Sequence, residues 1–186
     1  METDREVIGY ELGDCALGAL LVATSSHGVC AILLGDDSGA MARDLYRRFP
    51  RAQIVPGAVA AGHFGRVAAL IASPHEKLDL PLDLRGSDFD RRVWGALQGI
   101  PPGSVQTYGE IARRIGAPAS AKEVGEACAA NSLAVAVPCH RVVRADGSLA
   151  GYRWGAKRKL ALLRMEGARH GQMADLFDAL SRDALH

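Results

Sequence analysis

The sequence predicts an α+β protein, with a small N-terminal antiparallel sheet and its helices followed by a mostly helical domain that contains a helix-turn-helix. Three observations predict it. Short apolar runs of strand length occupy the chain before residue 35, a Pro-bounded connector follows at 74–81, and from Ser87 the apolar spacing becomes that of compact helices with paired start and stop signals. The expected division is 1–84, 85–168 and a tail over 169–186. With 186 residues, 48% of them apolar and 23% charged, the chain suits one sizeable domain or two small ones and fits neither a disordered nor a fibrous class.

The runs 7–12, 19–25 and 29–34 are the strand candidates, and Ser26-His27-Gly28 supplies turn chemistry between the last two. Residues 39–49 and 59–72 have helical spacing, and in the second Val59, His63, Val67 and Leu70 share a face. Residues 74–81 read as an exposed connector. Beyond it, Phe89, Val93 and Leu97 recur at helical intervals beside Trp94, and Pro101-Pro102-Gly103 ends that helix. Thr107 with Glu110 forms a capping-box pair opening a helix that closes at Gly116. Ser120 with Glu123 opens another over 121–130, with Asn131 as a left-handed stop residue.

The two helices joined by 116–120 are the helix-turn-helix candidate. The second carries almost no bulk, with Ala121, Ala127 and Ala130 among its small residues. Small side chains permit close approach, either to a packed neighbour or into a DNA groove, and the narrow minor groove demands them most. In the tail, Leu176, Leu180 and Leu185 with acids between them suit a short amphipathic helix or a frayed end.

The formal net charge of +1 conceals an asymmetry. Residues 1–85 carry 8 basic and 11 acidic side chains, whereas 86–167 carry 12 basic and 7 acidic, a surplus that suits a polyanionic partner. The acidic N-terminus lacks the layout of a secretion signal, and no apolar run approaches the ~20 residues a membrane-spanning helix needs. A cytoplasmic protein is expected, in which Cys15, Cys30, Cys128 and Cys139 are thiols. There is no dinucleotide fingerprint, phosphate-binding loop or zinc-finger spacing. Cys15, His27, Cys30, His63 and His75 are too irregularly spaced to favour a zinc site, so no cofactor or metal is expected.

One cysteine stands apart. The run 133–137 reads as a buried strand leading into Pro138-Cys139-His140-Arg141, and Pro138 biases Val137 toward an extended backbone. Free cysteines are ordinarily buried and inert. A flanking histidine and arginine change that expectation, because a base or a positive charge raises the thiolate fraction. Adjacent side chains on an extended segment point apart, so His140 is expected to reach the sulfur through a turn or one water. Glu166, at the end of a helix over 156–165 and before the stop residue Gly167, is the candidate that orients the imidazole.

The hexapeptide Pro138-Cys139-His140-Arg141-Val142-Val143, preceded by Asn131 and followed by Gly151-Tyr152-Arg153-Trp154-Gly155, strongly resembles the O6-alkylguanine-DNA alkyltransferases. Val93-Trp94, Ile100-Pro101-Pro102-Gly103, Tyr108 and Leu163-Arg164-Met165-Glu166-Gly167 extend the likeness, and the earlier part is similar to the C-terminal half of bacterial Ada. The resemblance implies a ribonuclease H-like first domain and a monomer that acts on double-stranded DNA through the minor groove. It implies that an O6-alkylguanine nucleotide is turned out into a pocket, with O4-alkylthymine a further candidate, and that the alkyl group moves irreversibly to Cys139. It also implies roles for single residues. A chain of Glu166, His140, water and Cys139 activates the sulfur, Tyr108 steadies the leaving guanine, and Asn131 joins the recognition helix to the active-site segment. Main-chain groups near Val142 and Arg153 read the base edge, and Tyr152 lines the pocket.

Nine residues before Asn131, where the family usually has an arginine that fills the gap left by the extruded base, stands Lys122. Lysine lacks the planar fork that stacks and pairs. Two rival readings are a non-catalytic lesion sensor, which would lack the cysteine, and a helix-turn-helix regulator, which would need longer side chains on the second helix. A Cys-His protease or redox enzyme would need a cleft and partners not evident in the sequence.

Overall fold

The computed structural model describes residues 5–57, 62–116 and 120–168, so Val59, the middle of the 116–120 connection and the tail helix candidate lie outside the described residues. Within them the chain forms two compact units. One comprises the chain up to Gly86 together with Ser132–Ala136, and the other comprises Ser87–Asn131 and the chain from Val137 onward.

In the first unit the three apolar runs become β1 (Val7–Cys15), β2 (Gly18–Ser25) and β3 (Gly28–Gly35), antiparallel in sequence order. Leu20, Leu21, Val22 and Ala23 are all fully buried, so β2 is covered on both faces rather than alternating. Helix α1 (Ser38–Arg48) starts at Asp37, whose carboxylate accepts the Ala40 N–H at 3.0 Å. Helix α2 (His63–Ala72) buries Val67 and Ile71; Leu70, expected on that face, is only half-buried because the i, i+4 pair takes the contact.

The sheet is mixed, which corrects the expectation of a purely antiparallel one. A four-residue strand with no periodic signal, β4 (Gln53–Pro56), pairs parallel with β1 and gives the order β3-β2-β1-β4. So short a strand, ending on proline, suits the edge it occupies.

The free side of β3 is also occupied. Val29 N–H donates to the Pro81 carbonyl and Asp83 N–H to the Val29 carbonyl, both at 2.9 Å, so the end of the expected connector lies along the strand. A Cβ on Gly28, at φ +137°, would overlap that Pro81 carbonyl, so only glycine fits there. Further along, Ile32 N–H donates to the Ser132 carbonyl at 2.8 Å and the Ile32 carbonyl accepts from Ala134 N–H at 3.0 Å. The run 133–137 is therefore not the strand its composition suggests. It makes one bridge at Leu133 and then turns, with Ala136 N–H donating to the Ala134 carbonyl about Val135 at φ +61°. A β-branched residue there is strained and persists only where its surroundings enforce it.

The second unit holds α3 (Asp88–Gln98), α4 (Tyr108–Ile115), α5 (Ala121–Ala130) and α6 (Ala156–Met165), with a short parallel pairing of β5 (Gln106–Thr107) and β6 (Val142–Val143). The capping boxes of α4 and α5 form as the sequence predicts, and Ser87 with Asp90 makes a third at α3. Trp94 of α3 is buried and its indole N–H donates to the Ala127 carbonyl of α5 at 2.9 Å. Asn131 ends α5 at φ −57°, ψ 127°, and is not the left-handed stop expected; its side chain is committed elsewhere. Among the described residues no helix is long and apolar enough to cross a membrane.

Candidate active site

Cys139 is presented by a turn. Its N–H donates to the Val137 carbonyl at 2.8 Å about Pro138, whose φ of −81° and ψ of 62° are those of an inverse γ-turn. The proline ring restricts φ to this region in advance, so the sequence itself encodes the bend. Cys139, His140 and Arg141 then form one turn of 3-10 helix that throws their side chains in different directions.

Cys139 is 5% exposed, and its sulfur accepts a hydrogen bond from the Asn131 side-chain amide at 3.2 Å. That same Nδ2 donates to the Val137 carbonyl at 2.9 Å, so one amide from the end of α5 fixes both the turn and the thiol. Burial pushes the Cys139 pKa up, and the Asn131 N–H and the Lys159 and Arg153 charges only partly oppose it. The resting group is a thiol that requires a base.

The base is at hand. His140 is 1% exposed, and its Nε2 lies 2.8 Å from Oε1 of Glu166. Burial would raise the Glu166 carboxyl, but its bonds to His140 and Arg141 reverse the effect and hold it at about 2. Arg141 spans both carboxylate oxygens through Nε at 3.1 Å, reaches Oε1 through Nη2 at 2.8 Å and the Ile100 carbonyl through Nη1 at 2.5 Å. Gly103 N–H donates to Oε2 at 3.3 Å. With Arg141 neutralising the carboxylate and burial lowering the His140 pKa, the imidazole is neutral and donates Nε2–H to Glu166. Nδ1 is then an acceptor, and this buried atom has no hydrogen-bond partner among the described residues.

A cavity of about 400 Å³ opens onto the sulfur, lined by Tyr108, Gly125, Cys128, Cys139, Tyr152 and Arg153 among others. Burial pushes the Tyr108 phenol up to about 12, which keeps it a neutral donor. Tyr152 sets its ring edge-on to His140, with centroids 6.3 Å apart, and to Trp154 at 5.2 Å; its buried hydroxyl has no hydrogen-bond partner among the described residues. Arg153 donates to the Ala129 carbonyl at 2.9 Å. The Val142 carbonyl accepts from Lys159 Nζ at 2.6 Å.

The structure thus brings together Cys139, Asn131, His140 and Glu166, with Tyr108, Tyr152 and Arg153 around the cavity. On α5, Ala121, Lys122 and Ala130 are exposed, with Lys122 Nζ 3.8 Å from Glu126. Ala127 departs from the expected surface role: it is 2% exposed, and its carbonyl accepts the Trp94 indole N–H.

Residues 88–168 match the family described as 6-O-methylguanine DNA methyltransferase, DNA binding domain. The chain is 48% identical over 160 residues to the bifunctional transcriptional activator/DNA repair enzyme Ada of Escherichia coli, an overlap of 86% of this chain and 45% of that protein. Across 172 residues it is 40% identical to a methylated-DNA–protein-cysteine methyltransferase of Mycolicibacterium paratuberculosis, covering 92% of this chain and 100% of the relative. The chain belongs to the 6-O-methylguanine DNA methyltransferase family. It spans about half the length of the Ada proteins it matches. The crystal structure of Mycobacterium tuberculosis OGT in complex with DNA shares its fold, with a TM-score of 0.72 and 36% identity over 91% of this chain and 99% of that one.

Within this methyltransferase fold, sequence reasoning missed Arg141 as the clamp on Glu166, although it stands beside His140 in the motif. It also missed Cys128 and Gly125 as cavity walls; on a helix of small residues nothing separates a wall from packing. Lys159 sits in the basic run Lys157-Arg158-Lys159, which looks solvated, yet it is fully buried.

Proposed function

We propose that the protein repairs alkylated DNA by direct reversal, moving the alkyl group from O6 of a modified guanine to the sulfur of Cys139, once per molecule. The observation that carries this reading is the Cys139 thiol at the wall of the cavity, held by Asn131 beside a neutral His140 whose other nitrogen is anchored on Glu166. His140 Nδ1 takes the thiol proton through one water, and the ionised Glu166 stabilises the imidazolium. The sulfur attacks the alkyl carbon, a C–S bond forms as the C–O6 bond breaks, and the electron pair leaves with the purine. Tyr108 gives its proton to the departing base, and the proton taken from Cys139 passes from His140 through water to restore the phenol. A thioether has no ready leaving group, so the protein is used up.

The α4–α5 pair serves as a helix-turn-helix and enters the minor groove of duplex DNA with the exposed Ala121, Lys122 and Ala130, while the damaged nucleotide turns out into the cavity. Arg153 and Tyr152, which line the cavity, meet the base there, and main-chain groups near Val142 and Arg153 read its edge. In this reading the protein acts as a monomer. The order β3-β2-β1-β4, with β4 parallel to β1, supports a ribonuclease H-like reading of the first unit.

Incubation with a duplex containing O6-methylguanine, followed by intact-mass measurement, tests the reading. One methyl per chain is expected, on the peptide containing Cys139. Repeated turnover, or an unchanged mass alongside DNA binding, would overturn it.

Two substitutions probe the parts. Lys122→Ala is expected to slow repair in duplex DNA more than reaction with a free modified base, since a residue that fills the vacated stack matters only in a duplex; equal losses on both would remove Lys122 from that role. Tyr108→Phe is expected to slow transfer by roughly 10²-fold. Reaction of Cys139 with a small thiol reagent should stay unaltered, because only the leaving group loses its partner.

A further inference from the structure

Lys159 lies midway along α6 with no part of its side chain exposed, although its neighbour Lys157 is in solvent. A buried ammonium is costly unless an anion meets it. Among the described residues no carboxylate lies within ion-pair distance of Nζ, which donates instead to the carbonyls of Val142 at 2.6 Å and Ala150 at 3.4 Å. Val142 immediately follows the single 3-10 turn that carries Cys139. The ammonium is therefore tied to the segment that bears the thiol, with only neutral partners of its own.

The ionisable groups that favour its charge are the thiols of Cys139 and Cys128, while Arg144 opposes it; burial dominates and brings Lys159 down to about 8. The surroundings of Cys139 hold no better cation. Cys128 of α5 and Tyr108 of α4 are acidic groups whose own ionisation Cys139 disfavours, as is Tyr152, and Arg153 is exposed. The Arg141 charge is spent on Glu166, which His140 shares.

We propose that Lys159 is a positioning residue that supplies the fixed counter-charge of the Cys139 thiolate, a role resting on the reading of Cys139 as the alkyl acceptor. While the sulfur is a thiol the ammonium is held by carbonyls alone. When His140 removes the proton, the new anion forms in a field already positive. Once the sulfur becomes a thioether it can no longer be anionic, and Lys159 loses that counter-ion.

The test uses the full chain and needs no DNA. The rate of Cys139 carbamidomethylation by iodoacetamide is followed against pH, with the modified cysteine located by peptide mass. Lys159→Met and Lys159→Gln are both expected to move the midpoint upward by about one pH unit, a roughly tenfold slower reaction at neutral pH. Glutamine retains a donor for the Val142 carbonyl without the charge. A wild-type profile in Lys159→Gln, or in both variants, would overturn the proposal and leave Lys159 a carbonyl-holding side chain.

Because either variant could fail to fold, the reciprocal measurement leaves Lys159 intact: its titration is read from the lysine ¹³Cε shift in wild type and in Cys139→Ser. A lower midpoint in the serine protein is expected, and an equal midpoint overturns the proposal. Failure of the repair reading looks different, as a wild type that gains no methyl from O6-methylguanine DNA while both titrations still move as described.

Discussion

Cys139→Ser is expected to reduce alkyl uptake below detection while leaving the melting temperature within a few degrees of wild type. The hydroxyl is close in size and can still accept from the Asn131 amide, so the turn about Pro138 loses no anchor. The chemistry does not survive the exchange. The thiolate is the attacking form of cysteine, and a buried thiol already pushed upward by desolvation is within reach of an imidazole base; a serine hydroxyl, far less acidic, is not. Intact mass after incubation with methylated duplex, together with a thermal melt, checks both halves. A serine protein that still removed the alkyl group would displace Cys139 from the centre of the mechanism.

Glu166→Gln is expected to cost about 3–5 kcal/mol in stability at neutral pH, because it leaves the Arg141 guanidinium without its anion in a closed site. Glu166 is 3% exposed, so little solvent is available to compensate. The pH dependence has a definite sign. Glu166 sits at about 2 in the folded protein against an ordinary 4.5, so on acidification the unfolded chain takes up the proton first. Its contribution is complete above pH 4.5 and drains away as the pH falls toward 2. Over that window wild type should lose about 3 kcal/mol that the glutamine variant does not lose. Urea titrations of both proteins at pH 7 and pH 3 measure this; a gap of the same size at both pH values would mean that the carboxylate charge is not what the site relies on.

Much of this architecture is legible in the order of residues alone. The capping boxes at Thr107 and Ser120 announce α4 and α5 because the signal lies within four residues and depends on no distant contact. Pro138 and Cys139 are similarly readable, since proline restricts its own backbone. What escaped depends on the third dimension. β4 is a strand because β1 offers it an edge, not because four residues prefer to extend. The run 133–137 has strand composition, yet Val135 is forced to positive φ where the chain must reverse. Asn131 looks locally like a helix stop; the resemblance ties it to the active-site segment, but that its amide holds the Val137 carbonyl and the Cys139 sulfur together depends on the fold. Lys159 is hidden most completely, because a basic triplet on a helix reads as surface unless the neighbouring turns are known.

The excursion between Asn131 and Val137 has a consequence for dissection. Ser132 and Ala134 leave the helical unit to bond with Ile32, and the chain returns at once to deliver the thiol. A gene fragment limited to the span matched by the family, 88–168, would keep Ser132 and Ala134 but lose Ile32, leaving their backbone groups without these partners. Transplanting the segment that ends at Cys139 with those bonds intact means carrying the strand at 28–35 along with it.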